Sequence, residues 1–130
     1  MIVLDASAAI EWLLQTPTGE LIERRIYSHH SSLQTVHLLD LEATQVLRRL
    51  SREKVITERR AGEALQSLMD LRITRYPHVL LLPRIWSLRN NLSAYDAAYL
   101  ALAELLKAPL ITHDRKLATA VGHRATVEVI

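Results

Sequence analysis

The stretch "LSAYDAAYLALAELLKAPLITHD", Leu92 to Asp114, decides how this chain folds. From Ala97 to Leu106 only Glu104 is charged, so a helix here is apolar nearly all round and belongs inside the molecule. The run "PLIT" that follows has strand length and strand composition. A buried helix leading straight into a strand is one unit of an α/β fold. Two aspartates, Asp96 at the head of the helix and Asp114 just beyond the strand, stand out on so apolar a unit.

Working outward, "IVLD" at residues 2–5 is a short apolar run ending in an acid, and "AAIEWLL" after it predicts a helix. "SLQTV" is a weak second strand. Leu39, Ala43, Val46, Leu47 and Leu50 then recur at helical spacing, as do Ala61, Ala64, Leu65, Leu68 and Leu71, which predicts two packed helices. "HVLLLP" at 78–83 is expected to be a strand, "RIWSLRNNL" a short helix, "RKLATAV" a last helix and "ATVEVI" a closing strand. Alternation of strand and helix argues for a parallel sheet of about five strands sandwiched between helices, joined by right-handed crossovers. No repeat, low-complexity tract or linker divides residues 1–130, so one domain is expected.

The composition narrows the chemistry. With 49% hydrophobic residues the chain can bury a core without staples, and with no cysteine it has no disulfide, thiolate metal site or cysteine nucleophile. The apolar N-terminus lacks a basic leading region, carries Asp5 and Glu11 and is too short to span a bilayer, so a cytoplasmic protein without membrane contact is expected. A net charge of +2 permits a nucleic-acid partner without demanding one. Half of the 16 Lys and Arg residues lie between Arg24 and Arg60, interleaved with acids as on solvated helix faces. Arg48, Arg49, Arg52 and Arg115 are candidates for contact with phosphates.

In open parallel sheets ligands bind beyond the carboxyl ends of the strands. Asp5 closes the first strand, Asp114 follows another, and Asp96 heads the helix leading into the latter. On the helix after the second strand, Glu42 and Asp40 flank opposite edges of the apolar stripe, and spacing does not choose between them. Each acid alone has a structural explanation: Asp5 and Asp114 as helix caps, Asp96 in a capping box with Ser93, and Glu42 as a solvated edge residue. Independent caps have no reason to converge on one sheet end. Gathered carboxylates repel unless a cation offsets their charge, and hard oxygen ligands without sulfur select Mg²⁺ or Mn²⁺. Such a site suits metal-assisted hydrolysis of phosphodiesters.

These residues resemble the PIN-domain ribonucleases, in particular the small VapC-type toxins of toxin–antitoxin pairs. The likeness covers nearly the whole chain and rests on "MIVLDASAAIEWL", "LEATQVLRRL" and "LSAYDAAYLALAELLKAPLITHDRKLA". It implies a PIN-like fold and an Mg²⁺- or Mn²⁺-dependent endoribonuclease. Carried over by position, Asp5, Glu42, Asp96 and Asp114 are the catalytic and metal-holding acids, with Glu42 preferred to Asp40. Ser7 and Thr112 match the small hydroxyl residues beside the first and fourth acids. The same likeness implies an RNA substrate, a cognate VapB-type antitoxin and a homodimer. Lys107 stands where relatives often have glycine before the strand, and the segment before Glu42 carries His37 without a nearby proline, departures that touch loop shape and leave the acids in place.

His113 beside Asp114 offers a rival base, although a lone histidine next to an acid is commonly structural. Trp12 and Trp86, embedded among aliphatics, read as core or interface before RNA-stacking platforms. A phosphate-accepting receiver domain would need an aspartate ending the third strand and a lysine after a late one, and "VLLLP" and "TVEVI" supply neither. A haloacid-dehalogenase-type phosphatase would need a second acid two residues after Asp5, where Ser7 stands. An inactive PIN-fold module working through protein contacts is the remaining alternative.

Overall fold

A computed structural model describes residues 1–130. The chain runs β1 (Ile2–Leu4), α1 (Ala6–Leu13), α2 (Pro17–Ser28), β2 (Leu33–Val36), α3 (Leu38–Arg52), α4 (Glu58–Asp70) and β3 (Ile73–Tyr76). After a 3-10 turn at Val79–Leu81 follow α5 (Leu82–Ser87), α6 (Ala94–Leu106), β4 (Leu110–Thr112), α7 (Arg115–Thr119) and β5 (Val127–Val129). All five strands are parallel, in the order β3-β2-β1-β4-β5. This is the expected sheet between helices. No helix is long and apolar enough to cross a membrane.

The three central strands are buried along their whole length: β1 and β4 are accordingly short apolar runs, whereas β2 buries Gln34 and Thr35, which are hydrogen-bonded to Tyr76 and to Leu4 O. Val3 sits at the middle of the sheet, beside Gln34 on β2 and Leu110 on β4. The long apolar helix is α6: every residue from Ala97 to Ala103 is buried. Its alanines let the backbone approach β1 and β2 closely, and Leu100 and Leu102 are fully enclosed. Each such leucine is worth about 1.5–3 kcal/mol of burial. Lys107 ends α6 in the left-handed region, φ 52°, the position glycine fills at lower cost.

One strand is corrected. "HVLLLP" is not a strand: Val79–Leu81 form the 3-10 turn, and Pro83 lies in the first turn of α5, where its missing N–H costs nothing. Val79 and Leu80 face outward, 67% and 80% exposed, and only Leu81 of the turn reaches the core. The third strand is "ITRY", Ile73–Tyr76, paired with β2 along its length and ended by Pro77, which holds Tyr76 extended. As an edge strand it keeps a solvated side and so carries polar residues. The receiver-domain alternative fares no better with this strand, since no aspartate ends it. Helix α2, not anticipated from periodicity, is capped by Thr16, whose side chain accepts from Gly19 N–H, and buries Ile22 and Ile26.

Candidate active site

The chain leaves β1 to build β2 and β3 on one side, then returns to place β4 on the other. The order reversal therefore lies between β1 and β4, the crevice where parallel sheets bind ligands. Asp5 follows the last residue of β1, and Asp114 lies two residues beyond β4. Since α6 runs back toward the start of β4, its first turn, with Asp96, lies at the same end. Glu42 comes from α3, which begins just after β2.

Asp5 is 4% exposed and held at both oxygens. Its Oδ1 accepts from Ser7 Oγ at 2.7 Å and from Ala8 N–H at 2.9 Å, and its Oδ2 accepts from Thr112 Oγ1 at 2.5 Å. Ser7 and Thr112 each spend their single hydroxyl proton on Asp5, so their own 3.1 Å approach is not a third bond to it. Ser7 Oγ accepts from His113 N–H at 2.9 Å, and Thr112 Oγ1 accepts from Asp114 N–H at 3.0 Å. The two hydroxyls thus tie the end of β1 to the turn after β4. Of Asp5's roughly four lone-pair directions, one on Oδ2 stays open.

The cap explanation holds as well. Asp5 caps α1, Asp114 caps α7 by accepting from Lys116 N–H at 3.0 Å, and Ser93 caps α6 by accepting from Asp96 N–H at 3.2 Å. Capping and convergence coexist, because the helices start at the end of the sheet where the acids gather.

The electrostatics tie the acids together. Burial pushes the Asp5 carboxyl above the usual range against its three hydrogen bonds, and the charge of Asp96 adds to the rise. Asp96, half-buried, is raised by desolvation and then by Asp114, with the Lys116 ammonium opposing. Glu42 joins through Tyr99, whose hydroxyl donates to Glu42 Oε1 at 2.5 Å. Burial, Glu42, Asp5 and Asp96 together push that phenol far above its ordinary titration.

Asp40, the other candidate on α3, is elsewhere engaged. Arg75 on β3 donates Nε to its Oδ2 at 2.8 Å and to its Oδ1 at 3.0 Å, while Nη2 bonds Leu68 O. The His113 ring hydrogen-bonds Ile130 O through Nδ1. Trp12 is buried with its indole N–H on Glu23, whereas Trp86 is exposed under the Arg89 guanidinium, 4.5 Å from the ring centre. Arg48, Arg52 and Arg115 are exposed without ion pairs, and Arg49 pairs with Glu53.

A divalent cation is compatible with this donor set. None of Asp5, Glu42, Asp96 and Asp114 forms an ion pair, unlike Asp40, Glu104 and Glu128. No three of the acids close into a ready cage for an ion. Mg²⁺ keeps several of its waters and takes only one or two carboxylates directly, so one or two of these acids would hold it.

The PIN domain family model matches residues 2–122. "VapC ribonuclease Mb0985" of Mycobacterium bovis is 40% identical over 130 residues, covering 100% of this chain and 98% of that protein. "Ribonuclease VapC12" of Mycobacterium tuberculosis is 36% identical over 133 residues, covering 100% and 99%. The crystal structure of PAE2754 from Pyrobaculum aerophilum shares the fold, with a TM-score of 0.72 over 98% of this chain and 83% of that one at 24% identity. The chain belongs to the PIN-domain family, within its VapC group.

Proposed function

We propose that residues 1–130 form one nuclease domain that hydrolyses RNA phosphodiester bonds, with Asp5, Glu42, Asp96 and Asp114 as its acids and Ser7 and Thr112 in support. The observation that carries this reading is the linked set of four acids, none in an ion pair, at the switch point of the sheet. The ribonuclease names of the full-length relatives supply the reaction class.

Bound Mg²⁺ or Mn²⁺ would polarise the scissile phosphate and lower the pKa of a bound water. Asp5, fixed by Ser7 and Thr112, offers its open Oδ2 direction, and Asp96 and Asp114 flank it. Glu42 orients the attacking water or takes its proton, which requires an approach of about 2.6–3.2 Å or one intervening water. Arg48, Arg52 and Arg115 supply phosphate contacts that position the RNA without reading its sequence. The family likeness adds a toxin role in the cytoplasm, a cognate VapB-type antitoxin that holds the nuclease inactive, and a homodimer that presents two sites on one surface.

The test is cleavage of total cellular RNA by purified, antitoxin-free protein with Mg²⁺, with Mn²⁺ and with EDTA. Discrete fragments that require metal are expected. A folded protein that cleaves nothing with either ion would overturn the reading in favour of an inactive protein-binding module.

Asp40 separates site from scaffold. Asp40→Asn weakens an ion pair in which Arg75 Nε is shared between both Asp40 oxygens and which is partly open to solvent, so a loss of about 1 kcal/mol of stability is expected, with an unchanged cleavage rate. Urea unfolding and initial rates, measured together, check it. A large fall in rate at full folding would return Asp40 to the candidate acids.

A further inference from the structure

Tyr99 lies one turn after Asp96 on α6, and its ring is fully packed in the core at 2% exposure. Only its hydroxyl reaches the acidic crevice, where it donates to Glu42 Oε1 at 2.5 Å, the one hydrogen bond that the Glu42 carboxylate forms within the chain. We infer that Tyr99 is a positioning residue, which fixes the Glu42 carboxylate so that Oε2 is presented to the reacting water.

Three features support the inference. Glu42 belongs to α3 and Tyr99 to α6, so the bond joins two helices that otherwise bring their acids to the crevice independently. A half-buried glutamate has three rotatable bonds, and without a partner its carboxylate would sample many positions. A hydroxyl held rigidly by a packed ring restricts its acceptor more than a flexible surface side chain would, and charge-assisted bonds of this kind are the strong ones. The other tyrosine with a side-chain partner, Tyr76, bonds Gln34 and has no such link to the acids.

The inference rests on the nuclease reading, and a double-mutant cycle separates the two. Wild type, Tyr99→Phe, Glu42→Ala and the double variant are compared under Mn²⁺ in steady state with RNA in excess, together with thermal unfolding of each. Tyr99→Phe keeps the ring and is expected to unfold cooperatively near wild type. Its kcat should fall roughly 10- to 100-fold, the usual effect of losing a partner that orients an active-site group. KM for RNA should stay within about twofold, because an orienting contact acts on the chemical step rather than on uniform binding. In the Glu42→Ala background the same change should lower kcat by less than about twofold, since a residue that acts through Glu42 has nothing left to orient.

A second readout is independent of turnover. The proton spectrum should carry a slowly exchanging downfield hydroxyl resonance that is absent in Tyr99→Phe and shifted or broadened in Glu42→Ala. Wild-type cleavage combined with an undiminished Tyr99→Phe rate, a full loss repeated in the Glu42→Ala background, or no hydroxyl resonance that responds to Glu42→Ala would overturn the positioning role and leave the nuclease reading standing. A wild-type protein that cleaves nothing with either metal would overturn both.

Discussion

Asp5→Asn is expected to abolish metal-dependent RNA cleavage while the metal-free protein becomes more stable at neutral pH. The substitution is isosteric and the hydrogen bonds around it can reverse. Ser7 Oγ and Ala8 N–H still donate to Oδ1, and the new Nδ2 donates to Thr112 Oγ1. The freed Thr112 proton then turns toward Ser7 Oγ, 3.1 Å away. What is lost is the charge at the centre of the acidic cluster. Removing an outer partner of a metal site typically costs about 10- to 100-fold, so losing one of the acids themselves should cost more than that. Stability moves the other way because burial, the largest influence on Asp5, penalises its ionised form. An acid whose folded-state pKa is raised binds its proton more tightly in the native state than in the unfolded one, so stability falls as pH rises from the unfolded pKa through the folded one. The destabilisation is absent below the unfolded value and complete above the folded value. Melting in EDTA should therefore favour Asp5→Asn at pH 8 and show little difference at low pH. Added Mn²⁺ should raise the wild-type melting temperature and leave the variant nearly unmoved, since only binding to the native state stabilises it. A variant that is less stable than wild type in EDTA at pH 8 would show that Asp5 contributes as a satisfied cap rather than as a buried charge awaiting a cation.

What the sequence reveals of this fold tracks how completely each element is buried. β1, β4 and the Ala97–Ala103 stretch of α6 are enclosed on all sides, so their residues are almost uniformly apolar and each can be read without its neighbours. β3 lies at the sheet edge, and "ITRY" carries an arginine because that side chain reaches out to Asp40. The apolar run six residues later is the stronger strand signal by composition, although Pro83 within it argues against a strand. α2 carries legible marks in Thr16, Pro17 and the Ile22–Ile26 pair, but buries only Gly19, Ile22 and Ile26 and so shows a weaker apolar stripe than α3. For the site, acids at strand ends can be read from a linear pattern because the sheet end is a property of topology. The choice between Asp40 and Glu42 cannot, since it depends on which of two distant residues, Arg75 or Tyr99, each one meets. Tyr99 itself reads as one more large residue in an apolar helix, and only the fold shows its hydroxyl at the edge of the crevice.

Two helical glycines should respond to alanine with opposite signs. Gly62 lies in the exposed interior of α4 with nothing within 4 Å of where a Cβ would stand. Gly62→Ala should therefore stabilise the protein by about 0.5–1 kcal/mol, the ordinary helix preference for alanine over glycine. Gly19, in the first turn of α2, packs directly on the end of α1: a Cβ there would lie 2.0 Å from Glu11 O, 2.6 Å from Glu11 C and 3.0 Å from Trp12 Cα. All three atoms are backbone, so no side chain can swing aside, and the helices must separate. Overpacking usually costs about 1–3 kcal/mol, and a clash with rigid backbone belongs at or beyond the upper end of that range. The helix preference recovers only a fraction of it. Because α1 is capped by Asp5 and carries Ser7, the strain has a route to the crevice, and the folded fraction of Gly19→Ala is expected to lose cleavage activity as well as stability. Chemical denaturation of both variants decides the matter. Equal stabilisation of the two would mean that α1 and α2 are not held in this close contact.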